Sequence, residues 1–162
     1  ADMEAATVGR LVEARAIVGI KDATANMIRT TETLAALPEG AEFAMLSGDD
    51  FTILPFVACG GRGVISVVSN ICPGDTSRLV QLTAEGRYAE ARPLHTRIVA
   101  LSRALFCSSN PIGLKAGLAL AGWCHPTTSL PLETADERVR GVVRAAMATY
   151  AGDPAAVEGF MR

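Results

Sequence analysis

Three short apolar runs separate longer stretches of helical periodicity along the first 86 residues, and that alternation restricts the chain to few folds. The runs are Ala16-Ile17-Val18-Gly19-Ile20, Phe43-Ala44-Met45-Leu46 and Gly63-Val64-Ile65-Ser66-Val67-Val68. Each lacks the apolar–polar alternation of a half-buried strand and so reads as a strand buried on both faces, as in a parallel sheet. Helices are expected at 4–14, with Val8, Leu11 and Val12 on one stripe, at 25–37, carrying Met27, Thr31, Leu34 and Ala35, and at 74–85, stopped by Gly86. The order α-β-α-β-α-β-α implies βαβ crossovers and an α/β fold.

Beyond Gly86 the strand signals stop and three helices are expected. Tyr88, Ala91, His95, Ile98, Leu101 and Leu105 recur at helical spacing, with Pro93 placed to kink or divide that helix. Asn110-Pro111 reads as an N-cap followed by proline at the first helical position, opening a helix that ends near Gly122. Thr134-Ala135-Asp136-Glu137 has the pattern of a capping box, ahead of a stripe of Val139, Val142, Val143, Ala146, Met147 and Tyr150. The expected organisation is therefore an α/β part at 1–86, a helical domain at 87–151 and a frayed tail at 152–162.

Composition narrows the function. At 162 residues, 49% of them hydrophobic and 20% charged, the chain has enough apolar material for one core. Fifteen Lys and Arg against 17 Asp and Glu leave a net charge of −2. No basic cluster is dense enough for a phosphate backbone, which excludes nucleic acid as a partner. The uncharged stretches at 51–61, 63–74 and 116–132 are short or broken by Gly and Pro, so no membrane span is expected. The first residues have no secretory pattern. Cys59, Cys72, Cys107 and Cys124 form no CxxC pair and have only His95 and His125 to share a metal. They read as buried thiols in a cytoplasmic protein without a metal site.

Lys21 is the charged residue least suited to its surroundings, because it follows the first apolar run directly. The C-terminal ends of parallel strands are where α/β sheets and barrels carry their sites. A lysine partly desolvated there can attack a ketone and form a Schiff base, and the competing reading is a solvated lysine at a strand end. Ser47-Gly48-Asp49-Asp50 follows the second run, its glycine allowing close backbone approach and its aspartates suited to capping the next helix. Gly60-Gly61-Arg62-Gly63 reads as a tight turn into the third strand, and Ser66, Ser69 and Asn70 place polar groups at that strand's far end. His95 reads as a helix residue and His125 as a loop residue, neither within a triad pattern, and Asp136 and Glu137 as charges favoured at a helix N-terminus.

Val18-Gly19-Ile20-Lys21-Asp22-Ala23-Thr24, Leu46-Ser47-Gly48-Asp49-Asp50, Gly60-Gly61-Arg62-Gly63-Val64-Ile65-Ser66 with Asn70, and Asn110-Pro111-Ile112-Gly113-Leu114-Lys115 together resemble the dihydrodipicolinate synthases, also called 4-hydroxy-tetrahydrodipicolinate synthases. The order and approximate spacing match over nearly the whole chain. The resemblance implies a partial (β/α)8 TIM barrel, about its last three βα units, followed by a C-terminal three-helix region. It implies that Lys21 forms a Schiff base with pyruvate and that the resulting enamine attacks L-aspartate 4-semialdehyde on the route to lysine, with no cofactor. Ile65 and Gly48 would line the pyruvate pocket through backbone groups.

A complete barrel of this kind needs about 250 residues. The loop that grips the pyruvate carboxylate, the proton-relaying tyrosine, the arginine for the aldehyde's carboxylate and the lysine feedback site all belong to an N-terminal half that the chain lacks. The unpaired edges of a three-stranded parallel sheet and an opening residue other than Met point the same way. The expectation is a half that is inactive alone and needs the missing N-terminal half or a second copy, in a family whose members are often homo-oligomers. Alternatives within the resemblance are a sugar-acid aldolase or N-acetylneuraminate lyase type of activity. A non-catalytic half-barrel that self-associates is the alternative outside it.

Overall fold

The computed structural model describes residues 3–152. Its elements are α1 (Ala5–Glu13), β1 (Gly19–Asp22), α2 (Met27–Ala35), β2 (Ala44–Ser47), α3 (Ile53–Ala58) and β3 (Gly63–Val64). A 3-10 turn (Val68–Asn70) leads to α4 (Pro73–Ala84), α5 (Tyr88–Leu105), α6 (Ile112–Leu120) and α7 (Glu137–Ala151). The strands form one parallel sheet in the order β1-β2-β3, with Lys21 opposite Leu46 and Leu46 opposite Gly63.

β1 begins three residues later than the apolar run. The reason lies in the end of α1, where Arg15 takes a left-handed φ of 53°. The Arg15 N–H donates to the Val12 carbonyl at 2.8 Å and the Ala16 N–H to the Leu11 carbonyl at 2.9 Å. These two bonds close a Schellman motif and spend the start of the run on terminating the helix. Sheet pairing therefore opens only where the Ala44 N–H reaches the Val18 carbonyl, at 2.9 Å. β3 is also shorter than expected. The Ile65 N–H still bonds the Ser47 carbonyl at 2.8 Å, but Val67 is already helical at φ −81°, ψ −47°, and the chain leaves the sheet.

Alternation along the strands assigns the two faces of the sheet. Ile20 and Met45 turn to the helical side, where Val8, Phe43, Met45 and Phe56 form the core, with Val12, Met27, Leu34 and Leu37 against it. Lys21 and Leu46 turn to the other face. The expected burial of the strands on both faces is not found: on the face away from the helices Lys21 and Ile65 are exposed.

The chain divides into two compact units, one running to Ser66 and including Arg78–Arg92, the other comprising Val67–Ser77 and the chain from Pro93. The division does not follow the expected boundary at 86, since both α4 and α5 contribute residues to each unit. Pro93 does not interrupt α5, but the division falls at this residue. Gly86 does end α4's run, at φ 72°, with the Arg87 N–H closing on the Leu82 carbonyl at 2.9 Å.

In the second unit α6 and α7 pack together, Val139, Val143 and Met147 being buried on α7 and Ala116 on α6. Val142, expected on the same stripe, is exposed. Tyr150 donates to Asp75 Oδ2 at 2.5 Å beneath the Arg97 guanidinium, which lies 4.6 Å from the ring centroid and donates to the Tyr150 carbonyl. Burial, then the bonds to Asp75 and Cys72, push the Tyr150 hydroxyl well above its usual range.

Two caps differ from expectation. Asn110 is not an N-cap: the Asn110-Pro111 bond is cis, Pro111 itself occupies the cap position, and the Lys115 N–H makes the first helical bond to its carbonyl. At α7 the cap is Asp136 rather than Thr134, its carboxylate accepting from the Val139 N–H at 2.7 Å. The four cysteines are thiols, but none is fully buried, and Cys59, at the exposed end of α3, is open to solvent. Among the described residues no helix is long and apolar enough to cross a membrane, and no three His, Cys, Asp or Glu side chains are grouped to hold a metal ion. The tail expected at 152–162 lies, beyond Gly152, outside the described residues.

Arg15 holds a conformation that costs an L-residue about 1–2 kcal/mol, whereas glycine adopts it freely but adds about 0.4–1 kcal/mol of unfolded-chain entropy. Arg15→Gly should therefore raise the unfolding free energy by about 0.5 kcal/mol, read as a higher urea midpoint with an unchanged slope.

Candidate functional site

Lys21 lies inside β1, as its third residue, rather than just after the strand, and its side chain is exposed on the uncovered face. Gly48 and Ile65 are the residues next after β2 and β3. The register pairs Asp22 with Ser47 and Ser47 with Val64, so Ala23, Gly48 and Ile65 form the next row, on the same face as Lys21. The three residues singled out in the sequence thus share one face at the C-terminal ends of adjacent strands.

Contact between two of them is close. A Cβ on Gly48 would fall 2.6 Å from Lys21 Cε, 2.7 Å from Ala23 Cβ and 3.1 Å from Ala23 Cα. Only glycine leaves the lysine this path. The Gly48 N–H is committed to the Asp22 carbonyl at 2.6 Å and the Ile65 N–H to the Ser47 carbonyl, so any backbone group these residues offer a ligand is a carbonyl oxygen. Ser47 is fully buried and exchanges hydrogen bonds with Asp49, its hydroxyl donating to the Asp49 carbonyl and accepting from the Asp49 N–H. Asp49 then accepts from Thr52 at 2.7 Å. The cap position of α3 is Thr52, without a side-chain bond to the helix, rather than either of the two aspartates. Ser69 and Asn70 lie in the 3-10 turn of the second unit, where Asn70 donates to the Val67 carbonyl. His125 is an exposed loop residue bonded to Thr127, and His95 is half-buried on α5.

A further cluster behind Lys21 had no assigned role in the sequence reading. Asp22 is buried, and its carboxylate accepts from the Thr24 N–H at 2.8 Å, the Thr24 hydroxyl at 2.6 Å and Arg29 Nε at 2.9 Å. Arg29, from α2, also donates to the Met3 carbonyl. Between them Ala25 is left-handed at φ 57°, and Asn26 caps α2 by accepting from the Ile28 and Arg29 N–H groups. The cue was present: Asp followed two residues later by Thr is an Asx turn, and Asn two residues further on is a helix cap. What adjacency in sequence does not contain is the reach of Arg29 back from the first turns of α2.

Burial pushes the Asp22 carboxyl upward, but the Thr24 and Arg29 bonds outweigh it and hold the group below its usual value. A carboxyl lowered in the folded state stabilises fully above its unfolded value, about 3.9, and loses that contribution as pH falls through the lowered value. Asp22→Asn should cost about 3 kcal/mol at neutral pH, the order expected for breaking a buried pair. Below about pH 4 the variant should lose stability less steeply than the parent in acid urea titrations.

A model of the dihydrodipicolinate synthetase family matches residues 1–149. A relative named 4-hydroxy-tetrahydrodipicolinate synthase from Anaeromyxobacter sp. (strain Fw109-5) is 44% identical over 149 residues, 92% of this chain and 50% of the relative. One of the same name from Syntrophotalea carbinolica is 40% identical over 131 residues, 81% of this chain and 44% of the relative. The solved structure of the 4-hydroxy-tetrahydrodipicolinate synthase from Methylacidiphilum fumariolicum SolV matches with a TM-score of 0.88 at 38% identity, covering 98% of this chain and 53% of that one. The chloride-inhibited dihydrodipicolinate synthase from Acinetobacter baumannii, complexed with pyruvate, matches at 0.86 and 36%, covering 93% and 51%. These neighbours are TIM barrels, so the three-stranded sheet and its helices are part of a (β/α)8 barrel. The chain spans about half the length of the relatives it matches, and with 149 of its 162 residues on the family model it belongs to the dihydrodipicolinate synthetase family.

Proposed function

We propose that Lys21 is the Schiff-base lysine of a pyruvate-dependent lyase, and that this chain is the lysine-bearing part of a cytoplasmic 4-hydroxy-tetrahydrodipicolinate synthase. One observation carries the reading: Lys21 stands on the open face at a strand's C-terminal end, with Gly48 packed against its Cε. Family membership and the pyruvate complex of the Acinetobacter baumannii relative support it.

The neutral amine of Lys21 attacks the ketone carbon of pyruvate, and the carbinolamine loses water to give an iminium. Loss of a methyl proton then yields an enamine whose carbon attacks the aldehyde of L-aspartate 4-semialdehyde, the electron pair returning from nitrogen. Water finally releases the lysine. The iminium nitrogen is itself the electron sink, so the chemistry needs no cofactor and no metal. Gly48 and Ile65 would face the bound pyruvate with their carbonyls. Groups for the substrate carboxylates and the proton relay would come from further barrel strands or a second copy beside β1, which is an edge strand of the three-stranded sheet.

Lys21 and Lys115 are the only lysines, which makes the test clean. Incubating the full chain with pyruvate and borohydride should add one reduced pyruvate, mapped by peptide mass to Lys21 and absent from Lys21→Arg. Gly48→Ala should lower the adduct yield about tenfold by displacing the side chain. The chain alone should show no condensation with L-aspartate 4-semialdehyde. An adduct confined to Lys115 or the N-terminus, or none, overturns the assignment.

A further inference from the structure

We propose that Asp22 and Arg29 are positioning residues for Lys21, their ion pair setting the backbone against which the lysine side chain lies; the inference rests on the proposed role of Lys21.

The argument begins with sidedness. Asp22 follows Lys21 and points to the opposite, helical side of the sheet, where its side chain is 3% exposed. It cannot touch a substrate held by Lys21, but it can hold the strand end from behind. Its carboxylate has three donors on two elements, Thr24 in the turn and Arg29 on α2. Its carbonyl accepts the Gly48 N–H at 2.6 Å, and Gly48 is the residue whose missing Cβ makes room for Lys21 Cε. The series Arg29, Asp22, Gly48, Lys21 is therefore continuous, and a shift of the Asp22 peptide moves the wall beside the lysine.

Stability alone accounts poorly for this arrangement. An Asx turn closes the loop with the Thr24 bonds and needs no cation, and replacing a buried ion pair by apolar groups is often neutral or stabilising. The same loop carries Ala25 at φ 57°, a strain that persists only where the surroundings over-determine the backbone. Arg29 Nη2 also binds the Met3 carbonyl, so the segment ahead of α1 is tied to the same point. Charge, strain and a long-range tether converge on a four-residue turn whose neighbour is the reactive lysine.

The test is the rate of borohydride-trapped pyruvate adduct on Lys21 in the full chain, measured across pyruvate concentrations and well below each variant's melting midpoint. For Asp22→Asn and Arg29→Gln the maximal trapping rate should fall about tenfold or more, while the pyruvate concentration giving half that rate moves less than about twofold. The double variant should fall no further than the worse single one, because the pair acts as a unit. Val8→Ala, which destabilises the same unit from the core behind the sheet, should keep the parental rate. If Asp22→Asn does not fold, Arg29→Lys keeps the charge but loses the fork and should show the same drop. A parental maximal rate in the folded variants, or an equal drop in Val8→Ala, overturns the inference while leaving Lys21 in place. An absence of any Lys21 adduct in the parent chain overturns both.

Discussion

The parallel register between β1 and β2 is the constraint on which the site depends. With Lys21 opposite Leu46, period-two alternation commits Ile20, Met45, Asp22 and Ser47 to the helical side and Lys21, Gly48 and Ile65 to the other. A slip of one residue would exchange the two sets, burying the ammonium under α1 and α2 and leaving Met45 in water. The burial of Met45 is thus also the device that aims Lys21. Met45, opposite Ile20, fixes the register by its place in the core, and the register fixes which face Lys21 takes.

That economy explains why the site is compact in sequence but not local in cause. Lys21 owes its place to β1, its clearance to a glycine after β2, and its backing to an arginine in the first turn of α2. Each contribution arrives at the C-terminal edge of the sheet because βα connections leave the strands there, which is where parallel barrels concentrate polar groups that the interior cannot hold. Asp22 illustrates the cost of such a place. Burial works against its charge, and only the combined donors of Thr24 and Arg29 keep it ionised.

Much of this was legible in the residues. The strand–helix alternation, the Gly86 stop and the placing of Lys21 and Gly48 at strand ends follow from hydrophobic period and turn chemistry, whereas Ile65, inside the third apolar run, comes to a strand end because β3 stops at Val64. What was not legible shares a physical origin, namely that backbone groups at helix ends choose among competing partners. Arg15 adopts the conformation usual for glycine because two Schellman bonds are available, and so takes residues from the apolar run before β1 can use them. Asp136 displaces Thr134 as the cap of α7 because its carboxylate reaches the Val139 N–H at 2.7 Å. Val67 turns helical although Val, Ile and Ser around it all suit a strand. None of these outcomes is visible in side-chain type alone, since each is decided by which backbone group stands nearby.

The open face also bears on how much chemistry this chain can carry. Lys21 is exposed, and the groups around it on its own face are small or apolar: Ala23, Gly48, Leu46 and the half-exposed Ile65. Such surroundings would provide clearance and an apolar surface for a planar three-carbon acid. Imine formation asks for a nucleophile and little else, whereas carbon–carbon bond formation needs the enamine held, screened from water and supplied with a proton at the right oxygen. The first step can therefore be separated from the second in principle. On the proposed role of Lys21, trapping of the pyruvate adduct without condensation is where that separation would be observed.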